Sequence, residues 1–290
     1  MVFMWYNIII GEIVMFEIGI NSNCECGSNI AEICENVKKA GFNNIMIAFK
    51  VGGEENVILE AKKQGLNIPY VHLNNRFADD LWAKGESNKE YVEDVIRQVK
   101  LCAKYDIHIA VLHGTEGGAS DLALPPSQHA IDCMNEILKA AEENNVKIAL
   151  ENLDGPNFEH FTFLLDNIKS NWLGLCYDAG HHNLYRPNFD ILEKYGDRIL
   201  AIHLHDNLMD WEYGYDFTRD LHMLPLDGKI DYEKVCKKLA KTNYDNVIML
   251  ELHKNSCGEP RLYDNMPIDK YLTLARERAN KIVEMIKKYK

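Results

Sequence analysis

Eight short runs rich in β-branched and aromatic residues recur along this chain, and a longer stretch of helical period follows nearly every one. The runs are FEIGIN (16–21), NNIMIAF (43–49), IPYVHLN (68–74), HIAVLHG (108–114), KIALEN (147–152), WLGLCYD (172–178), ILAIHLHD (199–206) and NVIMLELH (246–253). Between them lie NIAEICENVKKAGF, EYVEDVIRQVKLCAKYDI, SQHAIDCMNEILKAAEENNV and YEKVCKKLAKTNY, in which apolar residues return every three to four positions. Repeated βα units need parallel strands joined by crossover helices, and eight of them predict a closed (β/α)₈ TIM barrel. No linker, low-complexity tract or longer repeat divides the chain. Residues 15–290 are therefore expected to form one domain, with a last helix over about 267–289 closing the ring.

Residues 1–14, MVFMWYNIIIGEIV, lack the basic start and small-residue cleavage site of a signal peptide, and Glu12 interrupts a run too short to span a bilayer. They read as an extension upstream of the true start, so a chain beginning at Met15 is expected to fold as well as the full one. A net charge of −12 over 290 residues disfavours nucleic acid or anionic membrane as partner, because both need clustered positive charge. Eight scattered cysteines with no CxxC pair fit reduced thiols in a cytoplasmic protein. The expected partner is a small molecule; assembly into a homo-oligomer is left open.

In this architecture the functional groups gather where strands end, because those ends and their loops form one open face. Here the strand ends are polar: His72, His113, Glu151, Asp178 with His181, His203 with His205, and Glu251 with His253. Imidazoles and carboxylates converging on one mouth suit a divalent metal, with Mn, Co, Zn or Fe ahead of Ca because nitrogen donors are present. A metal also removes the mutual repulsion of the carboxylates. His203 and His205 share a parity, which leaves the role of His205 undecided between substrate contact and support of the ligands. His108, His129, His160, His182 and His253 read as structural or surface residues.

The motifs ALEN at Glu151, CYDAGH at Asp178 and His181, IHLHD at His203, LHMLPLDGKIDY at 221–232 and MLELH at Glu251 make the chain resemble the xylose isomerase-like barrel superfamily. That group holds sugar and sugar-phosphate isomerases and epimerases such as D-tagatose 3-epimerase, and also endonuclease IV. The resemblance implies one metal held by Glu151, Asp178, His203 and Glu251. It further implies a metal-stabilised enediolate, with Glu151 and Glu251 as acid and base. Endonuclease IV binds three zinc ions, and its wider ligand set also finds matches in His72, His113, His181, Asp220 and His222. Those five are candidates for a second metal or for substrate contact, and they raise a metal-dependent hydrolase as the alternative. A non-catalytic metabolite-binding barrel is the third reading.

The loop after the seventh run, DNLMDWEYGYDFTRDLH, opposes five acidic residues to Arg219 alone, which favours a sugar over a DNA backbone. Its Trp211, Tyr213 and Tyr215, with Phe77 and Trp82 after the third run, are candidates for an aromatic lid. No Gly-rich phosphate-binding motif is present, which favours an unphosphorylated sugar.

Overall fold

The computed structural model describes residues 16–50, 52–117, 124–154, 158–255 and 261–290, so the segment read as an upstream extension lies outside it. Eight parallel strands follow one another around a single sheet: β1 (Ile18–Asn21), β2 (Asn44–Ala48), β3 (Val71–His72), β4 (Ile109–Leu112), β5 (Lys147–Glu151), β6 (Leu173–Asp178), β7 (Ile199–His203) and β8 (Ile248–Leu250). Every expected run supplies one strand, shorter than its apolar stretch because ladder pairing stops where the ends splay into loops. The first strand pairs with the last, Ile18 opposite Ile248. A bridge between Leu204 and Leu250 links β8 to β7 and closes the ring. The fold is thus a single (β/α)₈ barrel.

Helices α1 (Ile30–Lys39), α2 (Glu54–Lys63), α3 (Glu86–Lys104), α4 (Gln128–Glu143), α5 (Glu159–Asn167), α6 (Ala179–Tyr185), α7 (Ile191–Tyr195), α8 (Tyr232–Leu239) and α9 (Ile268–Lys287) surround the barrel. Side-chain caps start several of them. Asn29 accepts from the Glu32 amide, and the Glu32 carboxylate accepts from the Ser28 amide just before the cap. Asp231 caps α8 through the Lys234 amide. Helices and strand exteriors share the large apolar core, whereas a second, smaller cluster of Met46, Tyr70, Val111, Ala149, Cys176, Ala201, Val247 and Met249 fills the barrel interior.

That inner cluster positions the site. Side chains alternate faces along a strand, so the residue two places beyond an inward apolar one also points inward, one layer nearer the mouth. Tyr70, Val111, Ala149, Cys176, Ala201 and Met249 lead in this way to His72, His113, Glu151, Asp178, His203 and Glu251, all buried. The barrel therefore has an apolar floor with a polar layer directly above it.

Candidate metal centre

Glu151 stands at the middle of this polar layer. Its Oε2 lies 3.2 Å from His72 Nε2, 3.3 Å from His113 Nε2 and 3.2 Å from His203 Nδ1, and its Oε1 lies 2.9 Å from His181 Nδ1. His203 Nδ1 is also 3.2 Å from Glu251 Oε2 and 3.8 Å from Asp178 Oδ2. Glu151, Asp178, His203 and Glu251 each offer one ligand atom within 4.8 Å of the others. Three more such groups adjoin among the described residues: His72 and His113 with Glu151, Cys176 with Glu151 and His203, and His181, His205, Asp220 and His222.

Local folding aims these groups. Asp178 ends β6 and caps α6, so its Oδ1 accepts the His181 amide at 2.7 Å. The Asn152 side chain clasps the Asp178 backbone from both sides, accepting its N–H at 2.7 Å and donating to its carbonyl at 2.9 Å. His72 Nδ1 meets the Leu73 carbonyl at 2.8 Å, which turns Nε2 toward Glu151. His222 adopts a left-handed backbone, φ 45°, that swings its ring over His205, the two stacked with centroids 3.8 Å apart. Asp206 serves the scaffold: its carboxylate accepts the amides of Asn207, Leu226 and Ile230, and a Cβ on Gly228 would collide with it at 2.3 Å.

The residues fit a cation. Both Glu151 oxygens, Asp178 Oδ2, His181 Nδ1, both His203 nitrogens and Asp220 Oδ1 are buried without a hydrogen bond of good geometry among the described residues. An unsatisfied buried polar atom costs about 1–3 kcal/mol, and three carboxylates around one imidazole leave a net negative charge that a divalent ion offsets. The mixed oxygen and nitrogen donors suit Mn, Co or Zn. The same crowding shifts the titrations. Burial works to raise the Glu151 carboxyl, but the His203 and His113 charges hold it well below the carboxylate range; His203 likewise brings Glu251 down against burial. Burial works to lower His181, yet Asp178 and Asp220 take it well above the usual imidazole value. His203 goes the same way against its burial, under Cys176, Glu251 and Glu151. His113 moves down because burial wins there.

A cavity of about 490 Å³ opens above the cluster. Lys50, Asn75, Arg76, Glu116, Phe217 and His253 stand on its wall among others, so the mouth is less uniformly acidic than the 206–222 loop suggests. His253, expected to be structural or on the surface, meets the His222 ring edge-on at 4.9 Å. The expected lid divides. Trp82 turns away from the mouth: it is 3% exposed, donates its indole N–H to the Gly114 carbonyl at 2.7 Å and packs on His160, because the turn after β3 folds inward onto α3 and α4. Trp211 donates to the Asn183 carbonyl and lines a separate cavity beside α6 and α8. Tyr215 stacks on Tyr185, and Tyr213 is 85% exposed. Phe77, 52% exposed, carries the Arg76 guanidinium over its ring at 4.7 Å, and Phe217 is the aromatic of the 206–222 loop on the mouth wall.

Cys176 also escaped the reading of strand ends. It offers its sulfur within 4.8 Å of ligand atoms of Glu151 and His203, and its place two residues before Asp178 is the signal that would have found it. The seven described cysteines are free and buried. Of the remaining histidines, His182 bonds the Tyr177 hydroxyl at 3.0 Å, His108 pairs with Asp106 at the surface, His129 meets Asn88 and His160 the Leu124 carbonyl.

The family model described as "Xylose isomerase-like TIM barrel" matches residues 34–288. The chain belongs to that family. Among curated relatives of this xylose isomerase-like barrel, the uncharacterized protein y4fM of Sinorhizobium fredii is 33% identical over 149 residues, 47% of this chain and 45% of the relative. The inosose isomerase of Bacillus subtilis is 25% identical over 130 residues, 43% and 46% of the two chains. Both matches thus span less than half of the relative's length. Among solved structures, a D-tagatose 3-epimerase-like protein superposes with a TM-score of 0.72 at 20% identity, covering 94% of this chain and 98% of that one. The IOLI protein, whose structure holds a zinc atom, gives 0.69 at 18% identity, covering 94% and 99%. These likenesses establish the barrel. No helix among the described residues is long and apolar enough to cross a membrane.

Proposed function

We propose that the chain is a divalent-cation-dependent isomerase or epimerase of a sugar or sugar phosphate, with Glu151 and Glu251 as its acid–base pair. The observation that carries this reading is the buried group of Glu151, Asp178, His203 and Glu251 at the floor of an open mouth, its donor atoms within 4.8 Å of one another. The names of the inosose isomerase and the D-tagatose 3-epimerase-like protein support it. A cation held there would polarise a substrate carbonyl and offset the charge of a developing enediolate. Glu151 and Glu251 rise from β5 and β8, three strands apart around the ring, so they face the mouth from different walls. One carboxylate takes the proton from the carbon beside the carbonyl. The other returns a proton to the opposite face, giving epimerisation, or to the adjacent carbon, giving isomerisation. Their depressed carboxyl pKa values keep both as bases near neutrality. Phe217 on the mouth wall would cover a bound ring, and Lys50 and Arg76 would meet its distal oxygens.

The test is exchange of carbon-bound hydrogen with heavy water. Glu151→Gln and Glu251→Gln each lose about 10²- to 10⁴-fold in turnover, while each single variant still exchanges hydrogen from the side its remaining glutamate serves. The double variant does neither. Near wild-type epimerisation by both singles overturns the pair.

A metal-dependent hydrolase is the second reading, favoured by the two flanking groups that include His72 and His113 on one side and His181, Asp220 and His222 on the other. Cation content after purification without added metal separates the two. One equivalent of Mn or Co supports the isomerase, and two to three of Zn together with incision of abasic-site DNA support the hydrolase. A chain that holds no cation is a binding barrel.

A further inference from the structure

His205 is the buried member of the His181, Asp220 and His222 group to which neither reading assigns a role of its own. It is fully buried, and neither ring nitrogen has a well-formed hydrogen bond among the described residues. Its Nε2 lies 3.1 Å from Asp178 Oδ1, and its Nδ1 lies 4.0 Å from Asp220 Oδ1. The ring is clamped by two neighbours. His222 stacks on it at 3.8 Å and 11°. A Cβ at Gly180 would stand 1.9 Å from its Cε1, so only glycine leaves room for the imidazole at that helical position. Asp178 then has two distinct oxygens. Oδ1 is taken by the His181 amide at 2.7 Å and lies at His205, while Oδ2 has no partner and faces the ligand group of His203.

We propose that His205 is a positioning residue: it holds Asp178 Oδ1 so that Oδ2 is presented to the cation, and it ties that carboxylate to the Asp220–His222 segment. The inference rests on the cation reading above, but its readout is cation affinity and needs no substrate. Groups that orient a metal ligand through its second donor atom typically contribute about 10- to 100-fold in affinity. The same clamp places the 206–222 loop, through His222, in register with the floor of the site.

The experiment is a Co²⁺ titration of the whole chain against a chromophoric chelator, with folding checked by circular dichroism. His205→Leu, which keeps bulk and removes both nitrogens, weakens the tightest site about 10- to 100-fold. His205→Gln, which restores an N–H at similar reach, recovers part of that loss. Gly180→Ala leaves the imidazole intact but displaces it, and weakens Co²⁺ likewise. A purely packing role predicts the opposite order, with the leucine variant unchanged and the glutamine variant no better. Wild-type affinity in folded His205→Leu overturns this inference alone. Absence of Co²⁺ binding by the wild-type chain overturns the cation reading and this inference with it.

Discussion

Removal of the proposed cation is the perturbation whose size follows most directly from the site. A ligand that binds only the folded state stabilises it by RT ln(1 + [L]/Kd), about 2.7 kcal/mol when the free ion stands at a hundred times Kd. Unfolding entropy near 60 °C is about 2.1 cal/mol/K per residue, so 290 residues unfold with roughly 0.6 kcal/mol/K, and chelation lowers Tm by about 4 °C. The pH dependence adds a sign. His181 and His203 have folded pKa values raised well above 6.5 in the cation-free chain. Their contribution is fully present below pH 6.5 and is lost as pH rises through those raised values, so the chelated protein becomes less stable toward alkaline pH. Cation binding instead needs neutral imidazoles and releases their protons, so affinity climbs as pH rises. The gap in Tm between loaded and chelated protein should therefore widen from pH 6 to pH 8, read by differential scanning calorimetry with and without Mn²⁺, Co²⁺ or Zn²⁺. A gap that stays at zero across this range, or that narrows, refutes the reasoning.

Asp220→Ala combined with His222→Ala should lower the number of bound ions per chain while leaving the Glu151, Asp178, His203 and Glu251 group occupied; unchanged stoichiometry by elemental analysis assigns that pair to the loop alone. Trp82→Phe should cost about 1–3 kcal/mol in urea unfolding, since it strips the buried Gly114 carbonyl of its donor, with KM for any confirmed sugar unaltered; a raised KM would return Trp82 to the substrate site. His182, which burial lowers from 6.5 to about 4, resists protonation while the unfolded chain accepts it. Folding should lose stability as pH falls through that window, by at most on the order of 3 kcal/mol, and His182→Gln should flatten the slope in an acid titration of stability.

What could be read from the residues alone was whatever depends on local period. Alternation along a strand and the position of each apolar run's polar end placed Glu151, Asp178, His203 and Glu251 in one layer, because a parallel barrel carries all its strand ends to one face. Cys176 obeys the same period and was legible in principle two places before Asp178. The loops were another matter. Trp82 and Phe77 both follow β3, yet one turns under the rim to bond Gly114 while the other stays exposed, a choice made by how the turn packs on α3 and α4. Trp211 is drawn to the Asn183 carbonyl on α6, far along the chain. His205 needed the tertiary structure most: its parity was evident, but its role rests on the missing Cβ at Gly180 and on the left-handed turn that stacks His222 upon it. Strand periodicity is set by backbone geometry within a few residues, whereas the partner of a loop side chain is whichever distant surface closure of the barrel brings within reach.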